Sequence, residues 1–374
     1  MAGKIYRVLI VDDSKAMCHF LAHAINQDPQ LEVVGVAHDP YEARGLIKQV
    51  APDVITLDVE MPKMDGITFL GNLMRLRPMP VVMISSLTTA GAQTSLEALR
   101  IGAVDFMVKR QPASEQGVRD YISEICDIVR TAAQADVTKS ERKGSSAQKK
   151  PEFAKWKERA IKGSAAAPGV RRLINIGAST GGPEALRNVL DNTYSPDCAV
   201  TITQHMPTRF MGPFADRLNQ TSRYKIALAN DGEVICPGHA YVAPGDFHMD
   251  IVKQGGKLIC KLREGQRING HMPAVDFTFT SAANAVGDSC LGILLTGMGN
   301  DGAQGLKDLH DAGAMTIAQD ERSSAVWGMP GSAVAMGAAD AVLTLADIGP
   351  TLDDLLGPRK SAPAKSISEI ASGA

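Results

Sequence analysis

The chain has 374 residues, 44% of them apolar and 21% charged, with a formal net charge of −2. That size buries two sizeable cores, and the near-neutral balance excludes a global field drawing the chain to nucleic acid or anionic lipid. Six cysteines are scattered with no C-x-x-C pair, which excludes the usual zinc and redox motifs. Such cysteines are expected to be buried thiols in a reducing compartment. With no signal-like leader and no run of about 18 apolar residues, the expectation is a cytoplasmic protein without membrane insertion.

The first third alternates short apolar runs with helical stretches. Strands are expected at Tyr6–Val11, Leu31–Val36, Val54–Leu57, Val81–Ile84 and Ala103–Val108. Helices are expected near Ser14–Gln27, Pro40–Gln49, Gly66–Arg77, Ala90–Ile101 and Ser114–Ala133. This rhythm predicts an α/β domain over residues 1–133 with an open, doubly wound parallel sheet of the flavodoxin-like kind. From residue 134 to 171 the chain turns polar and basic, including KSERKGSSAQKK at Lys139–Lys150, and a linker is expected. A second doubly wound α/β domain follows over 172–357. Its expected strands are Leu173–Ile176, Ala199–Thr203, Leu291–Leu295 and Ala314–Ile317, with helices from Pro183, Arg209 and Asp301 around a turn-rich middle. Residues 358–374 form a Ser/Ala/Lys tail expected to be disordered.

Working sites in such folds lie at the carboxyl ends of the strands. Asp12 and Asp13 end the first strand, Asp58 the third, Ser85 the fourth and Lys109 the fifth. Carboxylates that close resist ionising together, and an oxygen-only set suits Mg²⁺. Asp58 is then placed to attack a phosphoryl donor, with the Ser85 hydroxyl and the Lys109 ammonium ready for the phosphoryl oxygens. Either Asp12 or Asp13 alone would read as a helix cap, but the whole set does not.

This constellation resembles the response-regulator receiver domain over about residues 4–130. The resemblance implies phosphorylation at Asp58 by a histidine kinase, with Mg²⁺ held by Asp13, Asp58 and the backbone carbonyl of Glu60. The family usually carries proline after the lysine, where this chain has Arg110.

The second domain opens on a strand and then Gly177-Ala178-Ser179-Thr180-Gly181-Gly182-Pro183. A dinucleotide loop would need glycine at Ser179, and a Walker loop would need a lysine. The string fits G-x-S-x-G, which displays a serine on a sharp strand-to-helix turn. His205, ending the next strand, is the best-placed base, with His248 its main rival. Asp301, in LTGMGNDG, is the candidate carboxylate that orients it, although an Asp there could be only a cap. The order Ser179, His205, Asp301 differs from the α/β-hydrolase order and points to a convergent triad. Backbone amides at Thr180 and Met298 are the candidate oxyanion donors.

Behind a receiver, the ordered strings GASTGG, TQHMP, GHAYVAPGD and LTGMGNDGA resemble the chemotaxis protein-glutamate methylesterase (CheB) family. That resemblance places the catalytic serine, histidine and aspartate on Ser179, His205 and Asp301. It implies hydrolysis of γ-glutamyl methyl esters on chemoreceptors with release of methanol, deamidation of receptor glutamines, and no cofactor in the esterase site. It also implies that the unphosphorylated receiver covers the active-site entrance. Two other readings fit less well. A DNA-binding output would need a basic helix-turn-helix, whereas residues 172–356 are long, α/β and not basic. A nucleotide-binding reductase lacks its middle glycine.

Overall fold

A computed structural model describes residues 4–86, 88–135, 137 and 165–356. The greater part of the expected linker, and the whole expected tail, lie outside the described residues.

The first unit runs β1 (Tyr6–Val11), α1 (Lys15–Ile25), β2 (Leu31–Ala37), α2 (Pro40–Val50), β3 (Val54–Asp58), α3 (Gly66–Leu76), β4 (Val81–Ser85), α4 (Thr89–Ile101), β5 (Asp105–Val108) and α5 (Glu115–Gln134). Its five strands are parallel in the order β2-β1-β3-β4-β5. β3 and β4 are buried at every residue, as strands covered by helices on both faces must be. Helix starts follow local chemistry. Asp39 accepts from the amides of Tyr41 and Glu42 at 2.9 Å with Pro40 in the first turn, and Asp65 accepts from Thr68 at 2.7 Å.

The second unit continues with β6 (Arg172–Ala178), α6 (Gly182–Asp191), β7 (Cys198–Gln204), α7 (Thr208–Thr221), β8 (Lys225–Leu228), β9 (Glu233–Val234) and β10 (His239–Val242). Then come β11 (His248–Gln254), β12 (Lys257–Arg263), α8 (Val275–Val286), β13 (Cys290–Leu294) and α9 (Ala303–Asp311). It closes with β14 (Met315–Gln319), α10 (Met329–Ala335), β15 (Ala341–Leu343) and α11 (Leu345–Leu356). Seven strands form a parallel sheet in the order β15-β14-β13-β6-β7-β10-β8. The chain starts at β6, winds outward to β8, then returns to β13 on the other side. The switch point therefore lies between β6 and β13, where this class of sheet opens a crevice.

Two features depart from the sequence expectation. The turn-rich middle holds a small antiparallel sheet, β11-β12-β9, and the twelve-residue helix α8. Its hairpin strands alternate buried and exposed residues and its helix is rich in Thr, Phe and Ala, so neither gives a long apolar run. Residues 166, 167 and 170, inside the span read as linker, are buried against the second unit.

The two units touch through the β5 side of the first unit's sheet. Phe106 and Phe210 rings pack at 4.4 Å between centroids, and Arg217 pairs with Glu97 at 3.4 Å. Among the described residues, no helix is long and apolar enough to cross a membrane.

Candidate active site and phosphoryl pocket

In the first unit, Asp12 and Asp58 are buried and Asp13 is exposed. Ligand oxygens of all three lie within 4.8 Å of one another. Lys109 Nζ sits 3.0 Å from Asp12 Oδ2 and 2.8 Å from Asp58 Oδ2. Burial drives the Asp58 carboxyl above its ordinary pKa, with the Asp12 charge adding to this, and the Lys109 and Glu60 amide contacts offset only part of it. Burial works against the Lys109 cation too, but its two carboxylate partners outweigh that and raise its pKa. The all-oxygen donor set and spacing fit Mg²⁺. Glu60 meets Asp58 through its amide, and its side chain accepts from Ser86 at 3.5 Å. Ser85 Oγ donates to Gly91 O at 3.1 Å, so its hydroxyl is turned toward α4 rather than onto Asp58. Arg110 leaves the pocket. Its guanidinium lies 5.0 Å from the Tyr121 ring centre and pairs with Glu124 on α5.

In the second unit, Ser179 follows β6 and His205 follows β7. Their strands are in register as Ala178 and Gln204, and His205 N donates to Ala178 O at 3.1 Å. Ser179 N donates to Thr296 O at 3.0 Å, which fixes the serine to the loop after β13. The turn then reverses through Gly181 at φ 75, a left-handed conformation that favours glycine. Gly297 lies so close that a Cβ there would come within 2.8 Å of Ser179 Cβ. The glycines around Ser179 thus serve close packing of two loops.

His205 Nε2 donates to Asp301 Oδ2 at 2.7 Å. Asp301 also accepts from Asn269 Nδ2 at 3.1 Å and from the amides of Val275 at 2.7 Å and Asp276 at 3.2 Å. It is a cap after all, but for α8, a helix distant in sequence. The positive end of that helix favours an anion. Burial alone would raise the Asp301 pKa, yet these donors and the imidazole bring it down to about 2. An ionised Asp301 fixes the proton of His205 on Nε2. Nδ1 has no hydrogen-bond partner among the described residues and is the nitrogen left to act as base. The rival His248 is spent elsewhere: its Nε2 donates to Gln266 O at 2.9 Å and its Nδ1 accepts from Ala274 N at 3.3 Å.

The amides of Thr180 and Met298 donate to no acceptor among the described residues. Both side chains meet the first unit: Thr180 Oγ1 donates to Asp105 Oδ2 at 2.6 Å, and the Met298 sulfur abuts the Thr131 hydroxyl on α5. Sequence reasoning missed Asn269, His271, Gln204 and Asp105. Gln204 Nε2 donates at 2.9 Å to both Ser179 O and His205 O, tying the two strand ends together. His271 stacks on His205 with ring centres 3.6 Å apart.

Residues 174–352 match the family model described as CheB methylesterase, and residues 8–119 match the response regulator receiver domain. A protein-glutamate methylesterase/protein-glutamine glutaminase 1 of Hahella chejuensis is 50% identical over 93% of this chain and 95% of its own length. The chain belongs to the CheB methylesterase family. Another CheB relative, the protein-glutamate methylesterase/protein-glutamine glutaminase of Hydrogenovibrio crunogenus, is 45% identical over 91% of this chain and 96% of its own. The crystal structure of the Thermotoga maritima CheB methylesterase catalytic domain is 39% identical, covering 49% of this chain and 98% of that one at a TM-score of 0.48.

Proposed function

We propose that this CheB-family chain is a phosphorylation-activated protein-glutamate methylesterase and protein-glutamine glutaminase, in which Ser179, His205 and Asp301 act on receptor side chains. The observation that carries the reading is the His205–Asp301 pair beside Ser179, with a partnerless Nδ1 and two unused amides around it. Ser179 Oγ attacks the γ-carbonyl of a glutamyl methyl ester and His205 Nδ1 takes its proton. The carbonyl oxygen becomes an oxyanion facing the Thr180 and Met298 amides, where one such donor contributes roughly 3–4 kcal/mol. Collapse expels methanol, which leaves with the proton held by His205. Water, deprotonated by the same nitrogen, then frees the glutamate. A glutamine side chain follows the same path with ammonia as leaving group. The substrates are chemoreceptors and the phosphodonor is the histidine kinase of the same pathway.

Asp58 is the acceptor aspartate of the receiver. Asp13, Asp58 and the Glu60 carbonyl would hold Mg²⁺, which when bound offsets the charge gathered at the phosphoryl group. Lys109 and Ser85 stand at neighbouring strand ends. The coupling runs through β5. Lys109 reaches Asp58 from just beyond that strand, and Asp105 and Phe106 at its start touch the catalytic unit. New charge on Asp58 changes what holds Lys109 and so biases the closed interface toward opening.

The test is methanol release from methylated receptor, with and without a small phosphodonor. Wild type is expected to release methanol, faster with the donor. Ser179→Ala is expected to release none while keeping its circular dichroism, and retained turnover would sink the assignment.

A further inference from the structure

We infer that His271 is a positioning residue: its ring, laid flat on His205, fixes the plane of the general base. This rests on the triad reading above. One hydrogen bond holds His205, from Nε2 to Asp301, and its other nitrogen has no partner. A single such bond fixes a point on the ring but leaves the ring free to turn about that bond. A second restraint must act on the face. His271 supplies it, with centroids 3.6 Å apart and planes 6° from parallel.

The plate is itself rigid. Ile268 and His271 exchange backbone hydrogen bonds at 3.0 and 2.9 Å, across Asn269 and Gly270 at φ 53 and 83. Two positive φ values in an Asn-Gly pair mark a type I′ turn. One turn therefore sets Asn269 against Asp301 and His271 against His205. Burial, with the His205 charge beside it, pulls the His271 pKa down to about 4. The plate stays uncharged at neutral pH and does not repel the imidazolium that forms on His205.

The test compares phosphodonor-activated full chains carrying His271→Phe, His271→Leu and His271→Ala. Phenylalanine can stack; leucine fills space but has no flat face. Phe is expected to keep kcat within about threefold, while Leu and Ala lose about tenfold or more in kcat with KM within about twofold. Leu matching Phe, Ala matching wild type, or a loss confined to KM overturns the inference. Should substitutions unfold the chain, the imidazole proton shifts of wild type decide, with the His205 signals assigned by their loss in His205→Gln. Upfield ring-current shifts are expected for His205 carbon-bound ring protons lying against the His271 face, and ordinary free-imidazole shifts overturn the inference. Wild-type methanol release tests the function separately, since a dead wild type removes the triad reading and unequal variants of a live one bear only on the plate.

Discussion

Two buried carboxylates, Asp58 at the end of β3 and Asp301 in the loop after β13, are driven in opposite directions. Burial opposes charge on both. Asp58 has a neighbouring carboxylate and few donors, so its pKa rises. Asp301 has the imidazole, Asn269 and two amides of α8, so its pKa falls to about 2. The donor count decides between them. The phosphoryl acceptor proposed above has to gain and lose a charged group, and the few donors around Asp58 suit that role. The triad carboxylate proposed above has to remain an anion throughout turnover, and the four donors on Asp301 suit that role.

Breaking one end should leave the other working. Asp58→Asn is expected to abolish phosphodonor stimulation completely while basal methanol release stays within about twofold, because the substitution removes the phosphoryl acceptor and touches no residue of the triad. Stimulation surviving that change would separate the switch from Asp58. Asn269→Gly keeps the positive φ and removes one donor to a charged partner, worth about 1.5–3 kcal/mol. A fall in kcat of about tenfold or more is expected, with the rate of Asp58 phosphorylation unchanged. An unaltered kcat would mean the remaining three donors suffice.

The smallest effect is at the interface. Burial raises the Asp105 pKa from 3.8 to about 6, against the pull of its Thr180 and Phe106 hydrogen bonds. The closed chain thus binds this proton more tightly than an open one. Closure is favoured most below pH 3.8, weakens as pH climbs through about 6, and is level above that. Asp105→Asn removes the charge and keeps one acceptor. Basal activity of the unphosphorylated variant is expected to be about threefold below wild type at pH 7, with the gap closing by pH 5. A gap that ignores pH would assign the interface to packing alone.

The residues at strand ends were legible because buried parallel strands are apolar runs, and a polar residue closing one stands out. Ser179 and His205 are read this way, and so are Asp12, Asp58 and Lys109, whereas Asp301 lies past the end of β13 and is read from the glycines around it. The supporting residues were not. Asn269 and His271 sit in the loop between β12 and α8, where no apolar run points to a site, although the Asn-Gly pair is a turn signal. What that turn faces is a tertiary fact. Asp105 and Phe106 look like any strand start, and only the docked second unit gives them a role. Arg110 shows the same limit: its sequence marks a missing proline, and only the fold shows the side chain carried off to Tyr121 and Glu124.

The receiver rests on Thr180 and Met298, the two residues whose amides are the proposed oxyanion donors. Receiver and receptor side chain are therefore rival tenants of one small surface. Linkage between rivals is reciprocal: whatever factor by which phosphate on Asp58 eases substrate entry, bound substrate eases phosphate onto Asp58. An enzyme built this way weighs how much methylated receptor surrounds it as well as how active the kinase is.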